Sequence, residues 1–179
     1  YFELHIEQGP ILEREARQIG IVSGAQSQVW YDAVATGQDA HAGTTPPSTR
    51  KDALVCAARI IDRVDYLMRR YGENGRGTVG QLLVSPNSRN VIPGEVRFSV
   101  EFRHPEDLVV DDLDATFERE ANAIAKAMGV KVEVVKALQS TVRRRRYGTD
   151  DVSEQLETLR MDTIAHAQKM LSSGSATDQ

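Results

Sequence analysis

The chain has 179 residues, 40% of them hydrophobic and 27% charged, and its formal net charge is −4. These totals are those of a soluble globular protein with room for one domain and additional segments. A mildly acidic balance argues against a nucleic-acid partner, and the absence of a long apolar stretch in the sequence argues against a membrane span or a signal peptide.

The single cysteine, Cys56, cannot form an internal disulfide, so we expect a reducing, cytoplasmic setting. Cys56 could be a nucleophile. Its neighbours between positions 53 and 58 are all alanine, leucine or valine, however, and reactive thiols need an accessible, electropositive setting. The sequence therefore favours a buried helix cysteine.

The first predicted elements are a strand and a helix. Alternate residues from Val29 to Ala35 are apolar, which predicts a strand. After Pro46-Pro47, apolar residues recur every three or four positions and predict a helix. The members of this stripe are Leu54, Ala57, Ala58, Ile61, Val64 and Met68. Gly72, Gly75 and Gly77 then interrupt the chain.

The second half repeats this pattern. Residues 78–84 predict a strand and residues 85–94 a loop. The clearest strand follows, with Val96, Phe98, Val100 and Phe102 on one face and Glu95, Arg97, Ser99, Glu101 and Arg103 on the other. Helical spacing then marks a stripe that ends before Gly129, formed by Leu113, Phe117, Ala121, Ile124 and Met128. Val130, Val132 and Val134 predict a last strand.

The order strand, helix, strand, strand, helix, strand predicts an α+β, ferredoxin-like βαββαβ domain over residues 21–138. Residues 1–20 and 139–179 flank it. The second flank contains an arginine run at 143–146 and a predicted helix from 151 to about 171. A compact domain with an extra segment at each end is typical of an insertion in a larger host. The arginine run is interpreted as a solvated connection rather than an anion or nucleic-acid site.

Two histidines are candidates for chemistry. His5 lies among ionisable residues at a predicted strand end before Gly9-Pro10, which suits a metal ligand, although one His with a nearby Glu falls short of a metal site. His41 lies between small residues, where it could donate a hydrogen bond to a developing oxyanion or simply close a surface turn. His104 and His166 are interpreted as structural or solvent-exposed.

Asn90 and Arg103 are candidates for substrate binding. Asn90 lies in the loop that leads into the clearest strand, and Arg103 lies on the polar face of that strand. The planar guanidinium of an arginine suits a substrate carboxylate. The alternative is a solvated charge paired with Glu101 or Glu95.

Four separated segments together resemble one family. They are residues 3–10 (ELHIEQGP), residues 36–46 (TGQDAHAGTTP), residues 90–94 (NVIPG) and residues 102–105 (FRHP). In this order they resemble the M20-type amidohydrolases that act on N-carbamoyl-L-amino acids, allantoate or β-ureidopropionate. The resemblance runs from Tyr1 to about Leu138, and residues 173–178 match the family only faintly.

The resemblance implies a role for each candidate. The inserted ferredoxin-like domain would be a lid that also forms a homodimer. His5 would be a metal ligand from the catalytic domain, with Gln8 close to the substrate. His41 would reach the neighbouring subunit's site and stabilise the tetrahedral intermediate. Asn90 and Arg103 would hold a small ureido or carbamoyl acid substrate.

In such enzymes two divalent cations, zinc or manganese, activate a water that attacks the carbamoyl or ureido carbon. The family's other metal ligands and its glutamate base have no counterpart here, and Thr177 stands where the faint tail match would want a histidine. One ligand cannot hold a two-metal centre, so the chain alone is expected to be catalytically silent. The alternative is a standalone dimerisation or binding module. A ferredoxin-like binder of small molecules or RNA rests on fold alone.

Overall fold

The computed structural model describes residues 3–22 and 24–140. The predictions for residues 143–179, including the helix, the arginine run, His166 and the tail match, lie outside this part of the chain. The proposed division into residues 1–20, 21–138 and 139–179 stays a prediction.

The elements follow in chain order. They are α1 (Ile11–Arg14), β1 (Ser27–Thr36), β2 (Ala40–His41), a 3-10 turn (Pro47–Thr49), α2 (Ala53–Arg69), a second 3-10 turn (Gly72–Asn74), β3 (Arg76–Thr78), β4 (Leu82–Ser85), β5 (Val91–Ile92), β6 (Glu95–His104), α3 (Asp107–Met128) and β7 (Lys131–Ser140).

The main sheet has the order β3-β6-β1-β7, and β4 also pairs with β6. All of these pairings are antiparallel. Since β3 and β4 both pair with β6, they act as one interrupted strand. The resulting order of four strands, with two helices in the connections, is ferredoxin-like, which confirms the predicted fold class.

The core lies between the sheet and the helices α2 and α3. It includes alternate residues of β1 and β6, as predicted, namely Val29, Tyr31, Ala33, Ala35, Val96, Phe98, Val100 and Phe102. Phe117 of α3 packs against two of their rings, with centroids 5.1 Å from Tyr31 and 5.5 Å from Phe102. Cys56 is fully buried in α2, as predicted, and burial raises the pKa of its thiol.

The predicted helix stripes were partly wrong. In α2 the buried residues are Ala53, Cys56, Ala57, Ile60, Val64 and Leu67. Ala58 is exposed, and Leu54 and Ile61 are only partly buried. The apolar face of α2 is wide because it covers the sheet and also meets α3. In α3, Ile124 and Met128 likewise lie at the margin of the core, and the helix ends at Gly129 as predicted, with a positive φ of 64°.

Three strand predictions differ from the structure. The strand predicted over 78–84 is interrupted after Thr78, and pairing with β6 resumes at Leu82. The loop predicted over 85–94 contains the short strand β5. The last strand, predicted as far as Val134, continues to Ser140 because it pairs with residues 28–36 of β1.

Candidate functional site

Strands β2 and β5 bring His41 and Asn90 together. His41 pairs with Val91 in this small ribbon, and the Ala42 N–H donates to the Asn90 carbonyl oxygen at 2.8 Å. Two of the segments that carried the family resemblance are therefore neighbours in space. Both His41 and Asn90 are exposed, so their side chains are accessible to a ligand or a second chain.

Close backbone contacts hold this ribbon to the main sheet. The Gly37 N–H donates to the Gly94 carbonyl oxygen at 2.8 Å, and the Gly94 N–H donates to Asp39 Oδ1 at 2.6 Å. A Cβ atom on Gly37 would lie 1.9 Å from the Lys51 carbonyl oxygen, and one on Gly94 would lie 2.7 Å from Asp39 Oδ1. Glycine is required at both positions because the segments approach too closely for a side chain.

The His41 imidazole is held within its own loop. Its Nδ1 accepts a hydrogen bond from the Gly43 N–H at 3.1 Å, and its carbonyl oxygen accepts one from the Thr45 N–H at 3.1 Å. The Asn90 side chain is also held, since Ser88 Oγ donates to Asn90 Oδ1 at 3.0 Å. The Asn90 amide nitrogen is the group of this side chain suited to a ligand carbonyl or carboxylate.

Arg103 lies at the opposite end of β6 from the His41 ribbon. At a rise of about 3.3 Å per residue, the strand separates Glu95 from Arg103 by roughly 26 Å. The Arg103 guanidinium pairs with Glu101, as the alternative interpretation anticipated. A surface depression on the open sheet face lies beside this pair, lined in part by Trp30, Glu101 and Ser99. Within one chain, Arg103 does not join His41 and Asn90.

His5 and Gln8 lie in the exposed segment before α1. His5 Nδ1–H donates to the Ile6 carbonyl oxygen at 2.5 Å, which leaves Nε2 as the ring atom with a lone pair. Metal-binding histidines are commonly held in this way. Gln8 adopts a positive φ of 55°. The carboxylate of Glu7 accepts hydrogen bonds from the N–H groups of Ile11 and Leu12, both at 3.0 Å, so it caps α1.

Within residues 3–22 and 24–140, no three His, Cys, Asp or Glu side chains converge in a way that could hold a metal ion. These residues therefore do not fit a complete two-metal centre, and the ligand role of His5 stays a prediction. Over the same residues, no helix has the length and apolar character needed to cross a bilayer. His104 is buried, and its Nδ1 accepts the Glu106 N–H at 3.1 Å, which confirms a structural role.

Sequence reasoning missed Arg50 and Asp39. The Arg50 side chain donates to the carbonyl oxygens of Ala42 and Thr45 in the His41 loop. The Asp39 carboxylate accepts the hydrogen bond from the Gly94 N–H that holds the two segments together. The sequence signal that could have found them is their position, because both are charged residues close to a histidine loop rich in Gly and Pro. Their backbone partners, however, are specified only by the folded chain.

The fold and the loop contacts define a class of protein: a two-layer α+β domain that presents a histidine and an asparagine from adjoining loops. The M20-type family described as the peptidase dimerisation domain matches residues 23–129. The chain belongs to this family, and the predicted resemblance is confirmed.

Similar proteins support this assignment. An N-carbamoyl-L-amino-acid amidohydrolase of Rhizobium meliloti is 45% identical over 130 residues, covering 73% of this chain and 31% of that protein. An allantoate amidohydrolase of Escherichia coli (strain K12) is 33% identical over 134 residues, covering 75% of this chain and 33% of that protein. The chain thus spans about a third of the length of these relatives.

The solved structures agree with the fold. A hydantoinase/carbamoylase family amidase from Burkholderia multivorans matches with a TM-score of 0.76 at 45% identity. The match covers 78% of this chain and 34% of that chain. The likeness therefore extends over the described domain and leaves most of the larger amidase unmatched.

Proposed function

We propose that this chain is the lid and dimerisation part of a metal-dependent amidohydrolase that cleaves C–N bonds of N-carbamoyl-L-amino acids, allantoate or related ureido acids. The observation that carries the proposal is the junction of the His41 and Asn90 segments by the β2–β5 ribbon. The names of the similar proteins support the substrate class.

Each candidate residue has a stated part in this proposal. His41 donates a hydrogen bond to the oxyanion that develops when the carbamoyl or ureido carbon is attacked. Asn90 binds the substrate beside it. Arg103 binds the substrate carboxylate through its guanidinium, for which it must leave Glu101. Gln8 lies near the substrate and His5 supplies one metal ligand, while the remaining ligands come from outside the described residues.

The proposed active assembly is a homodimer. His41 and Arg103 lie at opposite ends of the sheet in one chain, so a single substrate cannot contact both within that chain. In the dimer, His41 and Asn90 of one subunit complete a site that contains Arg103 of the other. The match to a dimerisation domain supports this arrangement.

The finer parts of the proposal concern metal and location. We propose two divalent ions, zinc or manganese, in the complete enzyme, since histidine and carboxylate ligands suit both. We propose a cytoplasmic location, which the buried, unpaired thiol of Cys56 supports.

Subunit complementation tests the shared site. In the full product of the reading frame that contains this chain, His41→Ala and Arg103→Ala are each expected to abolish hydrolysis of the carbamoyl or ureido substrate. A co-folded mixture of the two variants should regain roughly a quarter of the parent activity, because half of the dimers then have one intact site. The control is a mixture of the parent with the double variant that carries both substitutions. It tests whether the two kinds of subunit assemble into dimers at random.

Two results would contradict the proposal. Failure of the mixture to regain activity would place His41 and Arg103 in one subunit's site or outside any site. A full-length product that shows no chelator-sensitive hydrolysis of any carbamoyl or ureido acid would favour the dimerisation module without catalysis.

A further inference from the structure

The environment of His41 defines which nitrogen carries the imidazole proton. Its Nδ1 lies 3.1 Å from the Gly43 nitrogen, whose N–H can only donate. Nδ1 must therefore accept, and the proton of a neutral imidazole resides on Nε2. In this tautomer the ring offers one N–H donor to a ligand.

Gly43 permits this contact because it has no side chain. A Cβ atom at this position would lie 3.2 Å from His41 Cε1 and 3.5 Å from Nδ1. The first distance is tighter than ordinary van der Waals contact, so a methyl group there would press against the imidazole. A larger residue at position 43 would therefore require the imidazole to shift by a few tenths of an ångström.

Arg50 binds the other side of the same peptide group. Its Nη2 donates to the Ala42 carbonyl oxygen at 2.9 Å, and its Nε donates to the Thr45 carbonyl oxygen at 3.0 Å. The Ala42 carbonyl and the Gly43 N–H belong to one planar peptide unit, in which C=O and N–H point in opposite directions. A guanidinium that holds the carbonyl therefore directs the N–H toward His41.

The charge on Arg50 also strengthens this donor. A cation at a carbonyl oxygen polarises the peptide and makes its N–H a better donor, as in other hydrogen-bonded chains. The Ala42 N–H meanwhile donates to the Asn90 carbonyl oxygen at 2.8 Å. The same short segment is thus fixed against Arg50 on one side and the Asn90 loop on the other.

We propose that Arg50 is a positioning residue that, through the Ala42–Gly43 peptide, holds His41 in one orientation as the Nε2–H tautomer. This inference rests on the proposed function for its catalytic meaning, because an Nε2–H donor is what an oxyanion requires. The hydrogen bonds of the Arg50 side chain go to the backbone carbonyl oxygens of Ala42 and Thr45, so in this proposal it acts through the loop backbone.

Nuclear magnetic resonance of the 179-residue chain tests the inference without substrate. Long-range proton–nitrogen spectra, recorded where imidazole is neutral, report the tautomer of His41 directly. The parent is expected to show Nε2–H. In Arg50→Ala the share of Nδ1–H should rise about fivefold, which corresponds to a net hydrogen bond of about 1 kcal/mol. The Gly43 amide proton should move upfield as its hydrogen bond weakens.

Arg97→Ala is the matched control, since the exposed Arg97 pairs with Glu95 at the same end of the sheet. It should leave both signals unchanged. If Arg50→Ala fails to fold, Arg50→Lys provides the comparison, because a lysine keeps the charge without the planar fork that bridges two carbonyl groups. Its tautomer ratio should lie between those of the parent and a fully released imidazole.

An Nδ1–H tautomer in the parent, or unchanged His41 and Gly43 signals in a folded Arg50 variant, would overturn the inference. In the full-length enzyme, Arg50→Lys should lower kcat more than it raises KM. The spectra decide the positioning role even where no hydrolysis is found, so failure of the proposed function and failure of this inference remain distinguishable.

Discussion

At the residue scale, the glycines beside the His41 ribbon set how closely two chain segments approach. Gly37 lies against the Lys51 backbone, and its N–H also bonds to Gly94. Backbone atoms cannot move aside as a flexible side chain can. The position of the His41 loop relative to the main sheet therefore depends on the absence of one methyl group.

We predict that Gly37→Ala destabilises the domain by about 1–3 kcal/mol, because the new Cβ overlaps the Lys51 carbonyl oxygen and the backbone must shift. Urea unfolding followed by circular dichroism measures the loss. Gly24→Ala is the control, since nothing lies within 4 Å of a Cβ atom there, and it should change stability by less than about 0.5 kcal/mol. Equal stability of the two variants would contradict the close contact.

At the element scale, one ion pair joins the two helices that cover the sheet. Arg63 of α2 pairs with Glu120 of α3, and Arg63 Nη2 donates to Glu120 Oε1 at 3.0 Å. The hydrogen bond from Arg63 lowers the pKa of the Glu120 carboxyl below its usual value of 4.5. The Arg63 guanidinium also lies 3.9 Å from the centre of the Tyr66 ring.

We predict that Glu120→Gln lowers the free energy of unfolding at neutral pH by less than about 1 kcal/mol, since both side chains are partly exposed. The depressed pKa means that this stabilisation is present above pH 4.5 and is lost as the pH falls through the lower, folded-state value. Parent and variant should therefore converge in acid. Chemical unfolding across pH measures the difference.

Glu133→Gln is the control for this pair. Glu133 is exposed and pairs with Lys131 of the same strand, so its removal should have a smaller effect on unfolding than the loss of an inter-helix pair. A difference between parent and Glu120→Gln that grows toward acid would contradict the assigned direction of the Glu120 pKa shift.

At the scale of the whole molecule, the chain combines a complete α+β domain with a single predicted metal ligand. The sheet has an edge on each side within the described residues, at β3–β4 and at β7. Unpaired edges can accept a second chain, and the family match is to a dimerisation domain. The match covers a third of the related amidohydrolases, so most of their length lies outside it.

We predict that the 179-residue chain forms a concentration-dependent dimer and does not hydrolyse N-carbamoyl-L-amino acids. Sedimentation equilibrium should give twice the 19.8 kDa chain mass. The assay, run with added zinc or manganese, should show no turnover because His5 alone cannot hold two metal ions. A strict monomer at high concentration, or metal-dependent turnover by the chain, would contradict the respective part of this prediction.

The sequence by itself determined the features that depend on local periodicity. The alternation in β1 and β6 predicted which of their residues are buried, because a strand has a fixed two-residue repeat. Gly129 predicted the end of α3, because the residue there needs a positive φ. The order of these elements was sufficient for the ferredoxin-like fold, and the four family segments were sufficient for the assignment to the M20 type.

Only the tertiary structure decided which side of a broad apolar helix faces the sheet and which distant residues meet. Ala58 lies in a helical stripe by spacing but is exposed, because the packing direction of α2 depends on both the sheet and α3. His41 joins Asn90 through β2 and β5, whereas Arg103 stays at the far end of β6. Arg50 binds its two carbonyl groups through a loop conformation that no residue pattern specifies, since backbone acceptors are the same in every residue.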